Sequence, residues 1–151
     1  MEQKILYIDM DNVLVDFKTG IEKCDEQTLL HYEGRLDEVP DIFSKMEPMK
    51  DAIESYKILS NHFDTYILST SPWENHTAWS DKLKWVKKYL GKLSYKRLIL
   101  THHKNLNYGD FLVDDRTKNG AGEFKGELIQ FGSSKFPNWI GVTEYLLSKI
   151  R

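Results

Sequence analysis

The chain has 151 residues, 40% hydrophobic and 29% charged, with 23 acidic against 21 basic side chains and a formal net charge of −2. That length suits one domain able to bury a real core, and the charge balance excludes a general attraction to nucleic acid polymers or to anionic membranes. The lone Cys24 excludes an intrachain disulfide, no apolar run approaches the ~18 residues of a membrane span, and the N-terminus shows no leader pattern. The expectation is a soluble cytoplasmic protein.

The first apolar run, Ile5 to Ile8, is short and rich in strand formers, as a strand buried on both faces would be. It runs into Asp9 and Asp11, which would sit at the carboxyl end of that strand, where open parallel sheets bind ligands. At ~4 Å and an effective dielectric of ~20, two such charges repel by about 4 kcal/mol, so a cation is expected beside them. From residue 16 to 49 the pattern is mixed and charged, without a strand signal. Leu29-Leu30 and Ile42-Phe43 predict short helical pieces, broken at Gly34 and Pro40.

Residues 51–61 predict a helix, with Ala52, Tyr56 and Leu59 on one face and Ile53 beside them. A second strand over 65–69 ends in Thr70-Ser71-Pro72. A long helix over 75–90 follows, with Trp79, Leu83, Val86 and Leu90 as its apolar stripe and Gly91 as its stop. On that reading Lys82, Lys84, Lys87 and Lys88 form a solvated face. A third strand, 97–100, precedes Thr101-His102-His103-Lys104, and a fourth, 111–113, runs into Asp114-Asp115. A turn with Gly120 and Gly122 leads to a fifth strand, 127–131. Pro137 then opens a last helix carrying Trp139, Val142, Leu146 and Ile150 on one face. Strands alternating with helices predict a doubly wound α/β parallel sheet. The core would comprise residues 1–15 and 50–151, with 16–49 as a small helical cap over its active edge.

Four polar clusters fall at or just after the carboxyl ends of different strands: Asp9/Asp11, Thr70/Ser71, Lys104 and Asp114/Asp115. Each alone could be a helix cap. Together they support phosphoryl transfer. A carboxylate can attack phosphorus, magnesium is held by carboxylate and carbonyl oxygens, and a hydroxyl and an ammonium stabilise the transferring group. Phe17, Phe43, Met46 and Trp73 either line a ring-sized pocket or pack the cap against the core. His102 and His103 have no partner at metal-ligand spacing.

Asp9-Met10-Asp11-Asn12-Val13, Thr70-Ser71-Pro72, Lys104 and Asp114-Asp115-Arg116 resemble the four motifs of the haloacid dehalogenase superfamily of phosphatases. Within it the chain looks most like the 5′(3′)-deoxyribonucleotidases. The further cues are Asp16-Phe17, Leu100-Thr101-His102-His103-Lys104, Leu112-Val113 before the last acidic pair, and Phe136-Pro137-Asn138-Trp139. The resemblance implies a Rossmann-like core and a phosphomonoester substrate, a deoxynucleotide. It implies Asp9 as nucleophile and Asp11 as the acid and base that serve it. Magnesium would be held by the Asp9 carboxylate, the Asp11 carbonyl and Asp115, with Asp114 in support. Thr70, Ser71 and Lys104 would hold phosphate, Phe17 would stack on the base, and a homodimer has family precedent. Three features depart from the pattern: Asn12 replaces a glycine, Glu74 replaces a phosphate-contacting lysine of mammalian members, and the cap is short. They bear on the substrate more than on the chemistry. A sugar phosphate under the short cap is the alternative within the enzyme class. A receiver-type phosphoacceptor module is disfavoured by the order of the motifs, and a degenerate binding-only member by their intactness.

Overall fold

The structure, a computed structural model, describes residues 2–150. Strand β1 (Ile5–Ile8) lies at the centre of a five-stranded sheet, flanked by β4 (Asp64–Ser69) and β6 (Phe111–Asp114), with β5 (Leu98–Leu100) and β7 (Glu127–Gln130) at the edges. Every pairing in this sheet is parallel, from Ile8 beside Ile67 and Val113 to Val113 beside Ile129. All five carboxyl ends therefore open on one edge.

Alternation along the strands separates two cores. Leu6, Ile8, Ile67, Val113 and Ile129 face helices α3 (Ala52–Ser60), α4 (His76–Leu90) and α5 (Trp139–Ser148). Tyr7, Leu68 and Leu112 face the other way, onto a smaller cluster with Ala121 and Phe124 from a 3₁₀ turn. The sheet is wound outward from β1 in both directions, as the alternation predicts, but all three long helices cover one face. The α3 stripe is as read, with Ala52, Tyr56 and Leu59 buried.

Three readings of helix ends and faces are corrected. The buried face of α4 is Ala78, Asp81, Lys82, Trp85, Val86 and Leu90, and Leu83 is 44% exposed. Choosing Trp79 and Leu83 as anchors rotated the helix by one position and put Lys82 outside when it is inside. α5 begins at Trp139, where the Asn138 side chain accepts the Gly141 N–H at 3.0 Å; Pro137 precedes that cap. Ile150 lies beyond the helix and is 40% exposed.

The segment over 16–49 is mostly helical, with α1 (Phe17–Ile21), α2 (Glu26–His31) and 3₁₀ turns at Leu36–Glu38 and Ile42–Lys45. Against expectation it also has strand character. β2 (Val15–Asp16) pairs antiparallel with β3 (Glu47–Pro48), a two-rung clamp at its base too short to leave a periodic signal. Asp16 stands at the N-cap of α1 but its side chain makes no capping bond. Val39, Ile42, Phe43 and Met46 are buried and merge with the main core. The Asn75 Nδ2 donates to the carbonyls of Asp37 and Val39 at 2.9 and 3.0 Å, and the Trp85 indole donates to the Met46 carbonyl at 3.1 Å.

Trp139 is fully buried, and its indole donates across the core to the carbonyl of Val13 at 2.7 Å. Trp139→Phe keeps an aromatic ring but leaves that carbonyl unpaired and a gap beside it. The expected cost is about 2 kcal/mol, read as a lowered urea midpoint at unchanged slope; an unchanged midpoint would show that the indole bond is not needed.

Candidate active site

β1 and β6 are adjacent and parallel, so they deliver Asp9 and Asp114-Asp115 to the same place. The Asp9 N–H donates to the Val113 carbonyl at 2.9 Å, which sets the two strand ends level. Lys104 arrives from beyond β5 on a 3₁₀ turn over Lys104–Leu106, its own N–H donating to the Asn119 carbonyl at 2.8 Å. Gly120, at φ +82°, allows that approach: a Cβ there would overlap Asn105 Oδ1 and lie 2.9 Å from the backbone nitrogens of Lys104 and Asn105. Asn12, where the resemblance expects glycine, adopts φ +60°, a conformation asparagine tolerates.

The buried Lys104 Nζ donates to Asp9 Oδ1 at 2.9 Å and to Asp114 Oδ2 at 2.6 Å. Asp114 Oδ1 accepts the Arg116 N–H at 3.0 Å, so both of its oxygens are engaged. Carboxylate oxygens of Asp9, Asp114 and Asp115 lie within 4.8 Å of one another. By contrast, Asp115 Oδ1 and Asp11 Oδ1 are buried with no hydrogen-bond partner. A second buried ammonium completes the cluster, one the sequence reading left in solvent. Lys82 Nζ lies 3.1 Å from Asp11 Oδ2. Four carboxylates against two ammonium groups leave a formal charge of −2, which one divalent cation would neutralise. The donor set is all oxygen, with unpartnered carboxylate atoms, so it fits magnesium.

Burial is the largest influence on the carboxyl groups. It pushes Asp9 up to about 7, with Asp114 and Asp11 adding to the rise against the opposing pull of Lys104. Burial likewise lifts Asp115 to about 6, helped by the Asp9 charge, and raises Asp114. Burial opposes the charge on Lys104, but Asp9 and Asp114 outweigh it and hold its pKa above the ordinary lysine value.

A cavity of about 610 Å³ opens beside this cluster, walled by Asp11, Thr70 and Asp115 on one side and by Phe17, Pro72 and Trp73 on another. The volume suits a small molecule. Thr70 donates its hydroxyl to the Thr101 carbonyl at 2.7 Å. Ser71 is fully buried, its Oγ unpartnered, and it is not on the cavity wall. Trp73 is 76% exposed and packs edge-on to Trp79 and His102, with ring centroids 6.3 and 5.9 Å away. Phe17 meets Phe43 edge-on at 5.8 Å. Phe43 and Met46 are core packing, not lining. Glu74 borders an adjoining groove that shares Asp37, Pro72 and Trp73 with the cavity and is not itself on the cavity wall. Asp37, His102, Arg116 and Asn119 also line the cavity and were given no binding role from sequence. Placement near the motifs pointed to His102, Arg116 and Asn119, and nothing in the sequence pointed to Asp37.

The sequence model for the family described as "5′ nucleotidase, deoxy (Pyrimidine), cytosolic type C protein" matches residues 22–140. The chain belongs to that family. A Vibrio phage KVP40 protein that carries the provisional name 5′(3′)-deoxyribonucleotidase is 58% identical over 148 residues, covering 98% of this chain and 87% of that one. The human cytosolic-type 5′(3′)-deoxyribonucleotidase is 28% identical over 138 residues, covering 72% of this chain and 69% of that one. Solved structures with the same fold include a haloacid dehalogenase-like hydrolase from Streptococcus pneumoniae, with TM-score 0.62, 12% identity and 99% of both chains covered. Another is a magnesium-bound HAD-hydrolase from Bacillus subtilis, with TM-score 0.61, 11% identity and 91% and 90% of the two chains covered. The chain thus shares its fold with these hydrolases. Among the described residues no helix is long and apolar enough to cross a membrane.

The raised carboxyl groups have a consequence for stability. Without a metal, folded Asp9 and Asp115 hold protons that the unfolded chain releases from about pH 4 upward. Stability should therefore fall as pH rises through about 6 to 7. Magnesium competes with those protons. At ten times its dissociation constant it should add about 1.4 kcal/mol, roughly 3–6 °C in Tm, at pH 8 and much less at pH 5. Thermal scans in chelator and in magnesium check this; equal gains at both pH values would contradict it.

Proposed function

We propose that this chain is a magnesium-dependent phosphomonoester hydrolase that removes phosphate from deoxynucleoside monophosphates through an aspartyl-phosphate intermediate. The observation that carries the reading is the Lys104 contact to Asp9, 2.9 Å long, beside a cavity walled by Asp11, Thr70 and Asp115. Family membership supplies the substrate class. The human relative's description as cytosolic favours a cytoplasmic enzyme, and the segment 16–49 acts as the cap that narrows access.

Asp9 is the nucleophile. Its carboxylate oxygen attacks phosphorus, the bond to the leaving oxygen breaks, and Asp11 gives that oxygen a proton as the electron pair departs. In the second half Asp11 takes a proton from a water that attacks the same phosphorus, and the Asp9–phosphorus bond opens to restore the carboxylate. Lys104 holds Asp9 in line and offsets charge on the phosphoryl oxygens, and the Thr70 hydroxyl offers those oxygens a donor. Ser71, enclosed behind Thr70, shapes that turn. Asp9, the Asp11 carbonyl and Asp115 would hold magnesium, with Asp114 tying Lys104 in place. The metal, when bound, withdraws charge from the phosphoryl group and keeps Asp9 ionised despite its burial. Phe17 and the exposed Trp73 present aromatic faces at the cavity, which favours a nucleoside over a bare sugar phosphate.

Two measurements test the reading. Asp9→Asn should lower kcat on deoxynucleoside monophosphates and on p-nitrophenyl phosphate by about four orders of magnitude or more. Trp73→Ala should raise KM for a deoxynucleotide by roughly 10-fold, the loss of one stacking contact, and leave KM for a sugar phosphate unchanged. A wild type without magnesium-dependent activity on either substrate class would overturn the assignment.

A further inference from the structure

Lys82 lies outside the four polar clusters read from the sequence, yet it is the most completely buried charge in the site, at 0% exposure. An ammonium has three N–H donors and no acceptor. Here all three are matched: Asp11 Oδ2 at 3.1 Å, Ser69 Oγ at 2.8 Å and the Thr70 carbonyl at 2.7 Å. The same Nζ lies 4.8 Å from the centre of the Phe43 ring, the ring that Phe17 abuts. One side chain of α4 therefore ties the loop after β1, the hydroxyl-bearing turn after β4 and the aromatic wall of the cap.

We infer that Lys82 is a positioning residue that locks the Asp11 carboxylate to the Thr70 turn, fixing the proton-transfer group relative to the group that receives the phosphoryl oxygens. The inference rests on the acid and base role proposed for Asp11. Its physical ground is that, among the described residues, the Asp11 side chain has no anchor but Lys82: Oδ2 is held by Lys82, while Oδ1 is enclosed without a partner. A carboxylate on a loop, released from its one partner, gains rotamers, and proton transfer requires hydrogen-bond reach of the leaving oxygen. Because its three donors are already committed, Lys82 does not bind the substrate phosphate. That separates its role from Lys104, which holds the nucleophile.

The test is a double-mutant cycle on the intact enzyme with magnesium, using a deoxynucleoside monophosphate and p-nitrophenyl phosphate as substrates. Lys82→Met should lower kcat on the deoxynucleotide about 100-fold, with KM within about threefold. Combined with Asp11→Asn it should cost no more than Asp11→Asn alone, since both remove one function. With p-nitrophenyl phosphate, whose leaving group departs without a proton, Lys82→Met should show a burst of nitrophenol and then slow turnover. Lys82→Arg should recover part of the lost kcat. Should Lys82→Met fold poorly, Ser69→Ala, which removes one of the three acceptors without burying a charge, should lower kcat about 3- to 10-fold at constant KM. A raised KM at constant kcat would overturn the inference in favour of a phosphate-binding lysine. Multiplying effects of Lys82→Met and Asp11→Asn would overturn it, because they would show that the two side chains act independently. An inactive wild type would overturn the proposed reaction and the inference with it, whereas an active wild type with full kcat in Lys82→Met overturns the inference alone.

Discussion

Placing carboxylates at the ends of two neighbouring parallel strands sets the problem that the rest of this structure answers. β1 and β6 stop at the same level, so Asp9, Asp114 and Asp115 meet within 4.8 Å while Asp11 follows close behind. Left alone, such a group would repel itself and resist burial. Two lysines from different elements hold it. Lys104 comes from a turn beyond β5 and bridges Asp9 and Asp114. Lys82 comes from inside α4 and takes Asp11. The remaining charge of −2 and the unpartnered oxygens of Asp11 and Asp115 fit the divalent cation proposed to bind there. Chemistry and stability are coupled at this one edge, because the groups that destabilise the metal-free fold are those proposed to act on the substrate.

The cavity wall draws on a different part of the chain. The segment over 16–49 is not a detached lid: Val39, Ile42, Phe43 and Met46 share the main core, and Asn75 and Trp85 hold its backbone. The cavity wall is thus preorganised, with Phe17 from the cap and Trp73 from the turn after Thr70 on the same space. Asp37 and Arg116 add one charge of each sign to that wall. Their presence gives the cavity polar groups in addition to its aromatic side chains.

Much of this was legible in the sequence, and for physical reasons. A parallel strand buried on both faces leaves an unbroken apolar run, so β1, β4 and β6 stood out and their following polar residues marked the site. What stayed hidden depended on tertiary contacts. Lys82 occupies the helical positions four after Ala78 and three before Trp85, which is the buried stripe of α4. Hydropathy alone assigned that stripe to Trp79 and Leu83, because a buried lysine looks like a solvated one until its three acceptors from distant segments are seen. β2 and β3 are two residues each, too short for any period. The wall residues Asp37 and Arg116 lie on a short 3₁₀ turn and a loop, whose direction follows from packing and not from pattern.

The account turns on a single ion held by carboxylates from β1 and the end of β6. Crystals soaked in manganese, which takes the same oxygen ligands as magnesium, would show it directly by anomalous scattering. The expected map has one strong peak at this sheet edge, bonded to the Asp9 carboxylate, the Asp11 carbonyl and Asp115. A peak elsewhere on the chain, or none at a manganese concentration that supports turnover, would contradict it.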